Sequence, residues 1–85
     1  MKTVQDKDSR EMVLPGDVVT TRNGAHMRYK GLGRESRIGL PGSHKLVVEP
    51  VDVDYDAAGM VRQATAISFT REVNASVFGL EVVDS

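Results

Sequence analysis

The residues of this sequence with the greatest capacity for chemistry are two histidines and a run of alternating aspartates. His26 and His44 stand 18 positions apart on segments that we expect to be loops, and the sequence has no cysteine. A zinc site needs three or four His, Cys or carboxylate ligands at defined spacing, so two histidines alone do not specify one. We predict structural or surface histidines, with no metal and no cofactor.

The aspartates begin like a calcium-binding loop, in the pattern Asp52-x-Asp54-x-Asp56. An EF-hand loop continues with Gly at its sixth position and a bidentate Glu at its twelfth. Those positions are Ala57 and Gln63 here. The alternation of these acids with Val51, Val53 and Tyr55 instead predicts a strand with one apolar and one solvated face.

Motifs for nucleophilic catalysis and for nucleotide binding are incomplete. The sequence contains no Gly-x-Ser-x-Gly elbow, the turn that exposes a nucleophilic serine. Gly31-x-Gly33 lacks the third glycine of a dinucleotide loop and follows no strand–helix unit. We therefore predict a protein that is not an enzyme and has no small-molecule substrate.

Length and composition limit the class of protein that carries these motifs. The chain has 85 residues, 40% of them hydrophobic, and a net charge of −1, which fits one globular domain. No apolar run is long enough to cross a membrane, and the first residues lack the apolar core of a secretory signal. We expect a soluble intracellular protein, in the cytoplasm or the nucleus, without a membrane partner.

Short β-branched runs separated by Gly and Pro predict an all-β fold, because no segment keeps a helical apolar period. In Pro15-Gly16-Asp17, Pro fits the second position of a type II turn and Gly the third. Gly79 within the last strand suggests a bulge or a close backbone approach. We predict a small sandwich or compact β-barrel of five to six short strands over residues 10–85, after a flexible tail over residues 1–9.

Charge is concentrated in two neighbouring segments. Residues 18–45 carry six basic side chains and one acidic one, whereas residues 46–61 carry four acids and no base. The two segments either pair with each other or face different partners. Basic side chains on a Gly-rich loop can contact phosphates, and the candidates for nucleic-acid binding are Arg28, Lys30, Arg34 and Arg37.

Several motifs in one order resemble the N-terminal domain of RNA-exosome cap subunits of the ribosomal RNA-processing protein 4 type. They are Val13-Leu14-Pro15-Gly16-Asp17 with the following Val18-Val19-Thr20-Thr21, Gly24, Met27-Arg28-x-x-Gly31 and Ala75-Ser76-Val77-x-Gly79. The matches cover the two ends of the domain. Residues 37–73 lie between the two matches, whereas in the family the Gly-rich loop leads almost directly into the Ala-Ser strand. We interpret residues 37–73 as an expanded central hairpin.

The resemblance implies a barrel-sandwich hybrid fold. It also implies a docking module without catalytic duty, which seats a cap subunit on the ring of RNase PH-like exosome subunits. The complex would serve RNA processing, including rRNA processing, and RNA degradation. The RNA-binding domains of such subunits would follow this one. Docking would use apolar residues near Leu14, Val18, Phe78 and Leu80, and the basic loop would contact RNA. Pro15, Gly16, Asp17 and Gly79 would be structural. The alternative is an unrelated small β-barrel, an accessory factor that binds protein or nucleic acid.

Overall fold

The computed structural model describes residues 1–35 and 43–84, and its regular structure is almost entirely β-strand. The strands are β1 (Lys2–Asp6), β2 (Met12–Val13), β3 (Val18–Thr20), β4 (His26–Glu35), β5 (His44–Tyr55), β6 (Val61–Ala66), β7 (Arg71–Asn74) and β8 (Leu80–Asp84). A short 3₁₀ helix, Ala75–Phe78, links the last two. The predicted all-β class is confirmed, with eight described strands where five to six were expected.

The first sheet joins the two ends of the chain in the order β2-β1-β8, and all its pairings are antiparallel. Val4, in its central strand, pairs with Val13 on one side and Val82 on the other, and it is almost fully buried. The expectation of a flexible tail over residues 1–9 is therefore wrong. One apolar residue among polar neighbours does not reveal a strand whose partner lies at the opposite end of the sequence.

The second sheet has the order β3-β4-β5-β6, and β7 also pairs with β5. Residues 45–48 of β5 pair with β7, and its residues 51–55 pair with β6. Because β4 occupies the other edge of β5, β6 and β7 lie along one edge and together with β5 form a long hairpin. This hairpin is the described part of the expected central insertion.

A corner from Leu14 to Asp17 connects the two sheets and has the predicted form. The Asp17 N–H donates to the Leu14 carbonyl at 3.0 Å, and Gly16 has a φ of 101°, which the third position of a type II turn requires. An Asp17 carboxylate oxygen accepts from the Leu14 N–H at 2.9 Å. The Gly16 N–H and the Asp17 carbonyl bond to the backbone of Tyr29, so the corner is fixed to β4.

The core lies between the two sheets and is closed at one end by the 3₁₀ helix. It is formed by Val4, Val19, Tyr29, Leu46, Val48, Ala75, Phe78, Leu80 and Val82. Gly79 ends the 3₁₀ helix, with its N–H donating to the Ser76 carbonyl at 3.1 Å, and thus lies before β8 and not in a bulge within it. In the part of the chain that the structure describes, no helix is long and apolar enough to cross a membrane.

Candidate protein-docking surfaces

A hairpin with little protein beneath it is the most exposed part of the fold. We call residues 51–66 the arm; it comprises the second half of β5, the loop after it and β6. Five of the six residues of β6 are exposed, and only Ala64 is half-buried. In the β5 half, Val51 is buried and Val53 half-buried. The side chains of β6 therefore face solvent on both sides of the hairpin.

The base of the arm is held by Arg28 of β4. One guanidinium nitrogen of Arg28 donates to the Ala64 carbonyl at 2.6 Å, and another lies 3.8 Å from the Glu49 carboxylate. The side chains of Arg28 and Glu49 are largely shielded from solvent, which strengthens their interaction. Arg28 thus joins β4, β5 and β6.

The far end of the arm is held by a histidine. The Tyr55 hydroxyl lies 3.0 Å from Nε2 of His26, and the Thr20 hydroxyl lies 3.1 Å from Nδ1 of the same ring. The rings of His26 and Tyr55 meet edge to face, with centroids 5.9 Å apart. His26 therefore bridges β3 and the arm. The other histidine, His44, is buried and lies 3.1 Å from the Gly33 carbonyl through Nε2.

Two of the three acidic residues of the arm, Asp54 and Asp56, bond within the arm itself. One oxygen of Asp56 accepts from the N–H groups of Ala58 and Met60, at 2.9 and 3.0 Å. Asp54 forms an ion pair with Arg62 on the neighbouring strand. Over residues 1–35 and 43–84, no group of three or more His, Asp or Glu side chains is arranged to hold a metal ion.

A second exposed feature lies where β6 gives way to β7. Ala66 pairs with Val51 and Arg71 pairs with Val48, so residues 67–70 stand opposite only Glu49 and Pro50. We call these four residues the bulge. Its Phe69 is 90% exposed and its Ile67 is 65% exposed. Single exposed apolar side chains are common on soluble proteins, but this bulge carries two large ones two residues apart, and bulges at sheet edges often redirect a side chain.

An open cleft of about 650 Å³ lies between the two sheets, where β2 and β3 form their edges. Its apolar lining includes Val13, Val18, Phe78 and Leu80. The lining also contains three carboxylates, those of Asp6, Glu11 and Asp17. The backbone N–H groups of Ser9 and Asp8 lower the pKa of Asp6 below its ordinary value, because they bond to its charged form.

The residues predicted to bind nucleic acid are separated by the structure. Arg28 holds the arm, and exposed Arg34 pairs with Glu72 at 3.4 Å. Lys30 is exposed on β4, whereas Arg37 lies outside the described residues. The sequence left two alternatives for the charged segments, pairing with each other or contact with different partners. The ion pair between Arg28 of the basic segment and Glu49 of the acidic segment is an example of pairing within the chain.

The four residues predicted for docking divide into two kinds. Leu14 is 55% exposed and Val18 is half-buried in an edge strand. Phe78 and Leu80, only 8% and 5% exposed, belong to the core and line the cleft from that side, so their side chains offer little surface outside the cleft. Each of these two side chains faces the space between the sheets, where packing in the core is favoured over contact with a partner.

Neither the bulge nor the arm was predicted as a docking surface from the sequence. Ile67 and Phe69 alternate with Ser68 and Thr70, a pattern that predicts a strand with a buried apolar face. Pro50 gives the available signal: it lacks an N–H and often marks a bulge or an edge. The strand opposite Pro50 is the one that bulges, and the Ile67 N–H donates to the Pro50 carbonyl at 3.1 Å.

Comparison of the chain with protein-family models found no match, and comparisons with curated proteins and with solved structures found none either. The features that bear on function are therefore those of the fold itself. They are an exposed arm, an apolar bulge and a cleft between two sheet edges.

Proposed function

We propose that this chain is a non-catalytic docking module that binds a partner protein through its arm. The observation that carries the proposal is the exposure of β6 on both faces. A two-stranded hairpin is at best marginally stable in water by itself. A partner that covers one face would stabilise the hairpin and would bury its apolar residues.

The composition of the arm suits a protein surface. Met60, Val61 and Tyr55 are large apolar side chains exposed around its tip, and they offer apolar area for an interface. The charged residues Asp52, Asp54 and Arg62 accompany them and would fix orientation. Among the strands of residues 1–35 and 43–84, β6 is also the last of its sheet, so an extended segment of a partner can pair with its outer backbone edge.

The sequence motifs supply a specific partner for this proposal. Their resemblance to the N-terminal domain of exosome cap subunits suggests RNase PH-like ring subunits as the surface on which the arm docks. Leu14 and Val18, at the edge of the cleft, would add contacts. Of the three described candidates for nucleic-acid binding, Lys30 is the one most available to RNA, because Arg28 and Arg34 already have acidic partners.

Site-specific photo-crosslinking in the organism that encodes the chain tests this proposal. A photoreactive phenylalanine replaces Met60, which is 67% exposed in the arm. The matched control carries the same group in place of Lys2, an exposed residue of the other sheet. Crosslinked species are identified by mass spectrometry of the adduct.

We expect one dominant crosslink to a different protein from position 60 and none from position 2. RNase PH-like ring subunits in the adduct would support the exosome assignment, and another protein would support docking but exclude that partner. Equal background from both positions would contradict the docking function of the arm.

A further inference from the structure

The bulge presents an apolar side chain in a fixed setting. Phe69 is 90% exposed, and the backbone on each side of it is held. Before it, the Ile67 N–H donates to the Pro50 carbonyl, and after it, Arg71 pairs with Val48 at the start of β7. The Arg71 guanidinium also donates to the Ser68 hydroxyl at 3.4 Å. A side chain displayed on held backbone loses little conformational entropy when it binds.

The cleft on the same molecule can accept such a side chain. Its volume of about 650 Å³ falls in the range of pockets that enclose small ligands. Val13 and Val18 line it on the two edge strands, and Phe78 and Leu80 line it from the core. The exposed Met12 also lines the cleft.

The charges around the two features are opposite. Asp6, Glu11 and Asp17 line the cleft, and among the described residues none of the three forms an ion pair. Arg71 begins β7 directly after the bulge, and within the same described part of the chain it has no carboxylate partner either. An arginine beside an apolar anchor and a cleft lined by carboxylates are complementary in charge.

We propose that Phe69 of one copy of this chain inserts into the cleft of a second copy, with Arg71 facing the carboxylates of Glu11 and Asp17. The occupant of the cleft is thus the chain itself. This inference goes beyond the proposed function, since it uses the bulge and the cleft and assigns a second copy as the partner.

The contact joins two different surfaces of the chain. After each addition the assembly therefore still has one free Phe69 at one end and one free cleft at the other, and association continues head to tail until a ring closes or a filament grows. A symmetric contact between two copies would instead stop at a dimer. The two arrangements differ in how complementary variants behave when they are mixed.

Sedimentation velocity over a range of concentrations, from roughly micromolar to millimolar, tests the proposal. Phe69→Ser removes the anchor and leaves the cleft, whereas Met12→Arg places a cation in the cleft and leaves the anchor. Val77→Ser is the matched control, because Val77 is an exposed apolar residue of the 3₁₀ helix outside both features. Amide spectra establish that each variant is folded, and Glu11→Lys replaces Met12→Arg if the latter is not.

We expect the wild type and Val77→Ser to sediment with masses that rise with concentration above the monomer mass of 9.3 kDa. Phe69→Ser and Met12→Arg alone should remain monomers. An equimolar mixture of the two should form a 1:1 dimer, because one anchor and one cleft remain intact, and amides of Val13 and Val18 in labelled Phe69→Ser should shift on addition of Met12→Arg.

Three results would overturn the proposal. They are a wild type that stays monomeric at every concentration, a Phe69→Ser variant that associates like the wild type, and a mixture that stays monomeric. None of these results bears on the crosslink from position 60 to a different protein, so the proposed function and this inference can fail separately.

Discussion

Arg28 donates a 2.6 Å hydrogen bond to the carbonyl of Ala64, which lies 36 positions later in the chain. The bond ties β4 to the base of the arm, and the Glu49 carboxylate lies 3.8 Å from the same guanidinium. The guanidinium therefore fixes the path of the arm as it leaves the sheet. Any docking function of the arm depends on that path.

Arg28→Ala should lower the free energy of unfolding by about 1–2 kcal/mol, because a charge-assisted hydrogen bond is lost and Glu49 is left partly buried without its partner. Urea denaturation measures the loss. Amide hydrogen exchange should also become faster in β6 while exchange of the core amides is still unchanged, since the base of the arm is released.

Arg62→Ala is the control for Arg28→Ala. Arg62 also pairs with an acid, Asp54, but both side chains are largely exposed, and such pairs contribute less than about 1 kcal/mol. Equal losses for the two variants would show that Arg28 is an ordinary surface residue.

Gly33 and Gly31 lie two residues apart on β4 and should respond differently to alanine. A Cβ at Gly33 would stand 2.6 Å from a carboxylate oxygen of Glu72 and 3.0 Å from the backbone carbonyl of Lys45, whereas a Cβ at Gly31 meets nothing within 4 Å. Gly33→Ala should cost about 1–3 kcal/mol, because the backbone of β5 must move. Gly31→Ala should stay within about 0.5 kcal/mol of the wild type, and thermal unfolding of the two variants in parallel measures the contrast. Identical melting temperatures would mean that β4 and β5 do not approach closely at Gly33.

Phe78→Ala should destabilise the fold by about 3–5 kcal/mol, as expected for a phenyl ring removed from a packed core. Leu14→Ala, at an exposed position, should change stability by about 0.5 kcal/mol or less. Chemical denaturation compares the two variants. A small loss of stability in Phe78→Ala would mean that Phe78 is not a core residue, and would favour the docking role that its sequence motif suggested.

Local signals in the sequence were sufficient for the turns. Pro15-Gly16 predicted a type II corner, and the corner has the required hydrogen bond and glycine φ. The turn at Ala57-Ala58-Gly59 is equally local, since the Gly59 N–H donates to the Asp56 carbonyl at 3.0 Å. These features depend on a few consecutive residues, and the all-β class follows from many such features together.

Features that depend on distant residues were not predictable in this way. β1 is a strand because β8 lies beside it, and nothing between Lys2 and Asp6 specifies that pairing. Arg28 was assigned to RNA because basic residues cluster near it in sequence, but Ala64 and Glu49 determine what it contacts. Phe69 fits an apolar face by alternation, yet the bulge opposite Pro50 turns it outward.

Tyr29 should make stability depend on pH in the alkaline range. Burial raises the pKa of its hydroxyl above the ordinary value, because the charged phenolate is poorly solvated in the core. The unfolded chain loses this proton near pH 10, while the folded protein still holds it. The contribution of Tyr29 to stability is therefore complete below about pH 10 and is lost as the pH rises from there through the folded pKa.

Tyr29→Phe removes that proton from the comparison. Urea denaturation from about pH 8 to pH 11 gives the free energy of unfolding at each pH. This free energy should fall less steeply with pH for the variant than for the wild type, and the two slopes should differ by at most about 1.4 kcal/mol per pH unit for one proton. Every other residue is the same in both proteins, so the rest of the pH dependence cancels in the difference. Parallel curves would mean that the Tyr29 hydroxyl reaches solvent, and that the core between β4 and the 3₁₀ helix is more open than the packing around Tyr29 indicates.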